Sequence, residues 1–159
     1  MNYLHRIVAL AMVALTISAV HVAAKDAPAS PDELAKRLEQ ALKAKNQGAA
    51  LELFCWDGVS KDMKDKQEAP MHILFDEMGQ GLELSSVKLG PLPPDFPVEQ
   101  VLNGVKYRPN LPVLGVIHVM LAEDVNPTEF IFVYGKKDDT FYLSALAEAE
   151  PSGKTDDKR

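Results

Sequence analysis

His118 is the only polar side chain in an otherwise apolar run, Val113 to Ala122, which reads VLGVIHVMLA. An imidazole on a face that lines a cavity can hydrogen-bond a ligand or act as a general base. Tyr134 and Tyr142, in the two apolar runs that follow, would add polar tips to the same cavity. The plainer reading is a core histidine satisfied by a neighbouring backbone or hydroxyl group. Trp56 and Asp57 form a second candidate, either as part of a binding site or as a helix exit with the indole packed on a sheet. The candidate ligand-binding residues are therefore His118, Tyr134 and Trp56, and no catalytic residue is assigned.

Other chemistry is thinly represented. Beyond residue 24 the only histidines are His72 and His118, and no His pair or Cys-His cluster has metal-ligand spacing. Gly79-Gln80-Gly81 reads as a helix end, not as a phosphate loop. No nucleophile elbow is present. Cys55 is the sole cysteine, so no internal disulfide can form. Between Phe54 and Trp56 it reads as a small buried hydrophobe. Asp62, Asp65, Glu68, Asp76 and Glu77 alternate with lysines at helical spacing, the pattern of a solvated face. No cofactor is expected.

The start of the chain reads as an export signal. His5 and Arg6 precede an apolar stretch from Ile7 to Val20, and Val22-Ala23-Ala24 offers small residues for cleavage. The stretch is shorter than the roughly 20 apolar residues that span a bilayer. The expectation is a signal peptide over residues 1–24 and an exported protein, periplasmic or secreted. From Lys25 onward the chain carries 16 basic against 23 acidic residues, a formal charge of −7. An acidic chain without a basic cluster points away from nucleic acid and from anionic membranes as partners.

The elements that must position these residues follow from periodicity. Residues 25–30 read as a linker. Ser30 or Asp32 caps a helix over about 32–45, with Leu34, Leu38, Ala41 and Leu42 on one face. A second helix is expected over about 49–56, with Gly48 just past the end of the first. A third covers about 60–79 and should kink or split at Pro70. Strands are expected over about 83–89, 113–122, 128–135 and 140–147, with a bulge at Ser85-Ser86 because Leu84 and Val87 are out of phase. The last three form an antiparallel meander, turned near Asn126-Pro127 and at Gly135 to Asp139. Residues 90–112 hold six prolines and the apolar Leu92, Phe96, Val98, Val101 and Leu102. They read as a packed connection, with a helical turn over 98–102 and a short strand at 105–107. Residues 148–159 read as a disordered tail. The expected fold is one α+β domain over 31–147, N-terminal helices packed on a curved antiparallel sheet of about four strands.

The stretch Lys45-Asn46-Gln47-Gly48-Ala49-Ala50-Leu51-Glu52-Leu53-Phe54, followed by Trp56-Asp57-Gly58-Val59, resembles the opening of nuclear-transport-factor-2-like proteins. That resemblance implies a cone of helices wrapped on a curved antiparallel sheet. The family holds isomerases, dehydratases and non-catalytic binding modules, and no catalytic pattern of the family is present to carry over. Two functions are expected to compete. One is a non-catalytic exported domain that binds a small apolar ligand in its cavity or a protein partner, or associates with a copy of itself through the sheet. The other is an isomerase- or dehydratase-like enzyme using His118 in that cavity.

Overall fold

A computed structural model describes residues 27–122 and 127–149. The expected signal peptide, the turn at 123–126 and residues 150–159 lie outside the described residues.

Helix α1 (Pro31–Lys43) starts where short polar side chains satisfy free amides. Ser30 Oγ accepts from the Glu33 amide at 3.1 Å, and the Glu33 carboxylate reaches back to the Ala29 amide at 3.0 Å. Leu34, Ala35, Leu38, Ala41 and Leu42 are buried along one stripe. Lys45, not glycine, takes the left-handed position that ends the helix, at φ 50°. Its amide bonds to Leu42 O and the Asn46 amide to Ala41 O, the paired bonds of a Schellman end. Gly48 falls instead inside helix α2 (Gln47–Leu51), which Asn46 caps through its side chain.

Sequence periodicity carries the second helix to residue 56, but it stops at Leu51. Strand β1 (Phe54–Cys55) follows and pairs parallel with β7 (Thr140–Ser144), Phe54 opposite Leu143. Helix α3 (Lys61–Gly79) is continuous through Pro70. Met63, Met71, Leu74 and Met78 are buried beneath it, and this apolar anchorage on both sides of the proline keeps the two halves in one helix.

Strands β2 (Glu83–Gly90), β5 (Val113–Ala122) and β6 (Thr128–Lys137) complete the main sheet, in the order β1-β7-β6-β5-β2. Strands β3 (Gln100–Leu102), β4 (Val105–Pro109) and β8 (Leu146–Glu148) form a second sheet, in the order β3-β4-β8. The fold is α+β, with two corrections to the expected architecture. The main sheet has five strands and not four, because β1 is two residues long and its partner lies far along the chain. The helices do not all precede the strands, since α3 follows β1.

The Pro-rich region supplies the second sheet. Asn103 and Gly104 both have positive φ, 52° and 80°, the conformation that a tight two-residue hairpin turn requires. Residues 98–102, expected as a helical turn, instead enter β3. Glu148, placed in the tail on sequence, pairs with Tyr107, and the Ala149 amide bonds to Lys106 O.

Two bulges set the faces of the main sheet. Ser85 is the extra residue between the pairs Leu84–Leu121 and Ser86–Met120. Leu114 interrupts the register between Val113–Gly135 and Gly115–Tyr134, so the strict alternation expected across β5 breaks there. One face of the sheet, with Ile117, Val119, Leu121, Phe132, Tyr134 and Leu143, packs on buried side chains of α1 and α3. Leu34, Leu38, Leu42, Met71, Leu74 and their sheet partners are fully buried. The layer between helices and sheet is filled by side chains.

Candidate functional site

His118 faces away from the helices. Its register partners are Lys88 on β2 and Ile131 on β6, and successive strand residues alternate faces. Its Nδ1 donates to Glu129 Oε1 at 2.6 Å, across the β5–β6 pair. The ring also lies over Gly90, where a Cβ would sit 2.4 Å from Nε2. One nitrogen is held by a carboxylate and the other edge rests on glycine backbone. The imidazole is thus fixed in orientation, with its side chain 31% exposed.

Tyr134 lies on the opposite, helix-packed face and is buried. Its ring fills the space beside Gly115, with the hydroxyl 2.8 Å from where a Cβ would be. Trp56 lies beyond the far edge of the sheet. It stacks on Phe54 with ring centroids 4.9 Å apart, donates Nε1–H to Leu51 O at 3.2 Å, and carries Lys64 over its ring. The structure therefore does not bring His118, Tyr134 and Trp56 together. Tyr142, opposite Gly135, shares the outer face with His118 and is half-buried.

That outer face is closed at one end and open at the other. At the closed end Leu111 and Pro112 cross over Gly135, where a Cβ would lie 2.5 Å from Pro112 O. Val116, in the same half of β5, is fully buried. At the open end Ile131 is 51% exposed in the middle of an internal strand, flanked by His118, Glu129 and half-buried Met120. The β3–β4 hairpin adds a second apolar surface, with Val101 at 63% and Val98, Leu102 and Val105 also exposed.

The two sheets join at Asn110. Its Nδ2 donates to Cys55 O at 2.7 Å and to Asp57 O at 3.1 Å. Its Oδ1 accepts from the Ala145 amide at 2.9 Å and from Ser144 Oγ, while its own amide bonds to Ala145 O. Asn110 thus takes the place of a strand neighbour at Ala145. There the run expected as one strand over 140–147 leaves the main sheet as β7 and enters the small sheet as β8. Beside this junction runs a groove of about 600 Å³ lined by Asp57, Arg108, Asn110, Leu111 and Ala147. Asp57 is paired with Lys137; the ammonium holds the carboxyl below its usual range, and the carboxylate raises the lysine in turn. Cys55 is buried beside the junction.

Sequence reasoning missed the hairpin and Asn110. The Asn103-Gly104 pair was the available signal for the first. The second had none, because its partners lie 34 to 55 residues away. Among the described residues no group of His, Cys, Asp and Glu is placed to hold a metal ion, and no helix is long and apolar enough to cross a membrane. No protein-family model matches the chain, and no curated protein shows significant similarity to it.

Proposed function

We propose that this protein is a non-catalytic binding domain, acting outside the cytoplasm, that engages a protein partner through the open end of its outer sheet face. The observation that carries this reading is Ile131. It is a large apolar side chain, half exposed, in the middle of an internal strand of the main sheet, and an exposed apolar patch within regular structure marks an interaction surface. The hydrogen-bonded pair beside it, His118 and Glu129, supplies the polar rim that such patches carry. The nuclear-transport-factor-2-like resemblance of residues 45–59 points the same way, to a family that includes non-catalytic binding modules. Export rests on residues 1–24.

A small apolar ligand in the interior is the weaker reading, because side chains fill the layer between helices and sheet. An isomerase- or dehydratase-like role for His118 is weaker too. The imidazole points away from that layer, and its Nδ1 is already held by Glu129. His118→Ala separates the readings: retained fold with lost turnover supports the enzyme.

The proposal is tested by photo-crosslinking from position 131 in the producing cell, with exposed Ile73 on α3 as the control position. A discrete adduct from 131 that disappears with Met120→Lys is expected, with none from 73. An adduct pattern from 131 no different from that of 73 overturns the reading. Binding of an apolar dye that Ile131→Lys leaves unchanged would favour an interior ligand instead.

A further inference from the structure

The flank formed by α1 and β2 carries charges in an order that matches itself. Asp32, Lys36, Glu39 and Lys43 form one row along α1, spaced three or four residues apart. They point toward β2. Asp32, Lys36 and Glu39 line a groove with Val87, Lys88 and Leu89, and Lys43 lines the next one with Glu83 and Leu84. Strand β2 is the last strand of its sheet, and Leu89 on it is an exposed large apolar residue.

We infer that two copies of this chain associate through this flank, about a two-fold axis that sets α1 antiparallel to α1 of its partner. The alternating signs of the row then place Asp32 against the partner's Lys43 and Lys36 against the partner's Glu39. A two-fold interface must be self-complementary in this way. Both helix pairs share one centre, between Arg37 and Leu38. The strand repeats the pattern independently, with Glu83 against the partner's Lys88, centred between Ser85 and Ser86. These two residues are five apart and would lie on opposite faces of a regular strand. The Ser85 bulge brings them to the same one, Glu83 opposite Ala122 and Lys88 opposite His118.

One axis serves both elements. From its centre the helix runs about 8 Å to Lys43 at 1.5 Å per residue. From its own centre the strand runs about 7 Å to the Glu83–Leu84 step that faces Lys43. Among the described residues Asp32, Lys36, Glu83 and Lys88 make no ion pair within the chain, so their charges are available to a partner. Glu39 and Lys43 hold each other at 2.6 Å in an exposed pair that the partner's Lys36 and Asp32 would share or displace. Lys88 and Glu83 share the outer face with His118, but the β2 edge lies two strands from Ile131 on β6, and the association stands or falls separately from the binding function proposed above.

The test is sedimentation equilibrium of the purified protein across a concentration series at low and at high salt. A dimer that weakens with salt is expected. Lys88→Glu alone, and Lys36→Glu alone, should each weaken it by about tenfold or more. The double swap Glu83→Lys with Lys88→Glu should restore it to within about threefold, since the pairing is re-made with its signs exchanged. A monomer throughout the series, a dimer indifferent to these reversals, or a dimer lost on Ile131→Lys and kept in Lys88→Glu overturns the inference.

Discussion

Gly90 has no side chain because His118 occupies the space that one would need. A methyl group there would meet Nε2 at 2.4 Å and Val116 at 3.3 Å, and the ring cannot swing away without giving up Glu129. Gly90→Ala should therefore cost about 1–3 kcal/mol, the usual penalty for overpacking. In combination with His118→Ala most of that cost should disappear. Urea titrations of the wild type, both single variants and the double variant measure the coupling. A second residue-scale expectation concerns Asp57 and Lys137. The depressed aspartate contributes stability above its unfolded value of 3.8, and loses it as pH falls through its lower folded value. The raised lysine contributes below 10.5, and loses it as pH climbs through its higher folded value. The difference in stability between the wild type and Asp57→Asn should thus be flat through the neutral range and close toward strong acid and strong base. Both groups are exposed, so the difference is small and should shrink with salt. Melting temperatures at several pH values check it.

At the scale of elements, α3 holds a correctable defect. Pro70 stands in the tenth position of a nineteen-residue helix, where it offers no amide to Lys66 and its ring crowds that carbonyl. It is exposed, so replacing it disturbs no packing. Pro70→Ala should raise stability by about 1–3 kcal/mol, after the greater freedom of the unfolded chain is subtracted. Thermal denaturation with unchanged far-ultraviolet dichroism checks this. The same helix shows what a sequence can convey. Its apolar spacing is local and was readable, as were the alternation of β5 and β6 and the phase slip at Ser85. The end at Leu51 was not readable, because β1 exists only through pairing with Leu143 and Ser144 near the other end of the chain. Residues 98–102 misled for a related reason. Val98, Val101 and Leu102 have helical spacing, and the turn at Asn103-Gly104 decides against it. Parity within each strand was readable, but placing His118 and Tyr134 in one cavity was not correct, because the register between β5 and β6, which sets them on opposite faces, is not local.

At the scale of the molecule, the chain crosses between its two sheets at Asn110–Pro112 and at Ala145, and each crossing is anchored by a buried side chain. Ala145 is 1% exposed and Leu111 is buried. Gln67 of α3 adds a strut, bonding both the amide and the carbonyl of Leu146. Asn110→Ala would strip partners from the carbonyls of Cys55 and Asp57 and from the Ala145 amide. A loss of about 2–4 kcal/mol is expected, from one part-buried amide serving several groups. Hydrogen exchange should then quicken in β4 and β8 before it quickens in β5 and β6. The crossing at Ala145 has one more consequence. A connection a single residue long, shielded from solvent, gives a protease nothing to grip and gives the smaller sheet no tether on which to swing. The two sheets must rise and fall together in one melting step, and a partner that seizes the hairpin pulls on the whole body, with no slack to take up.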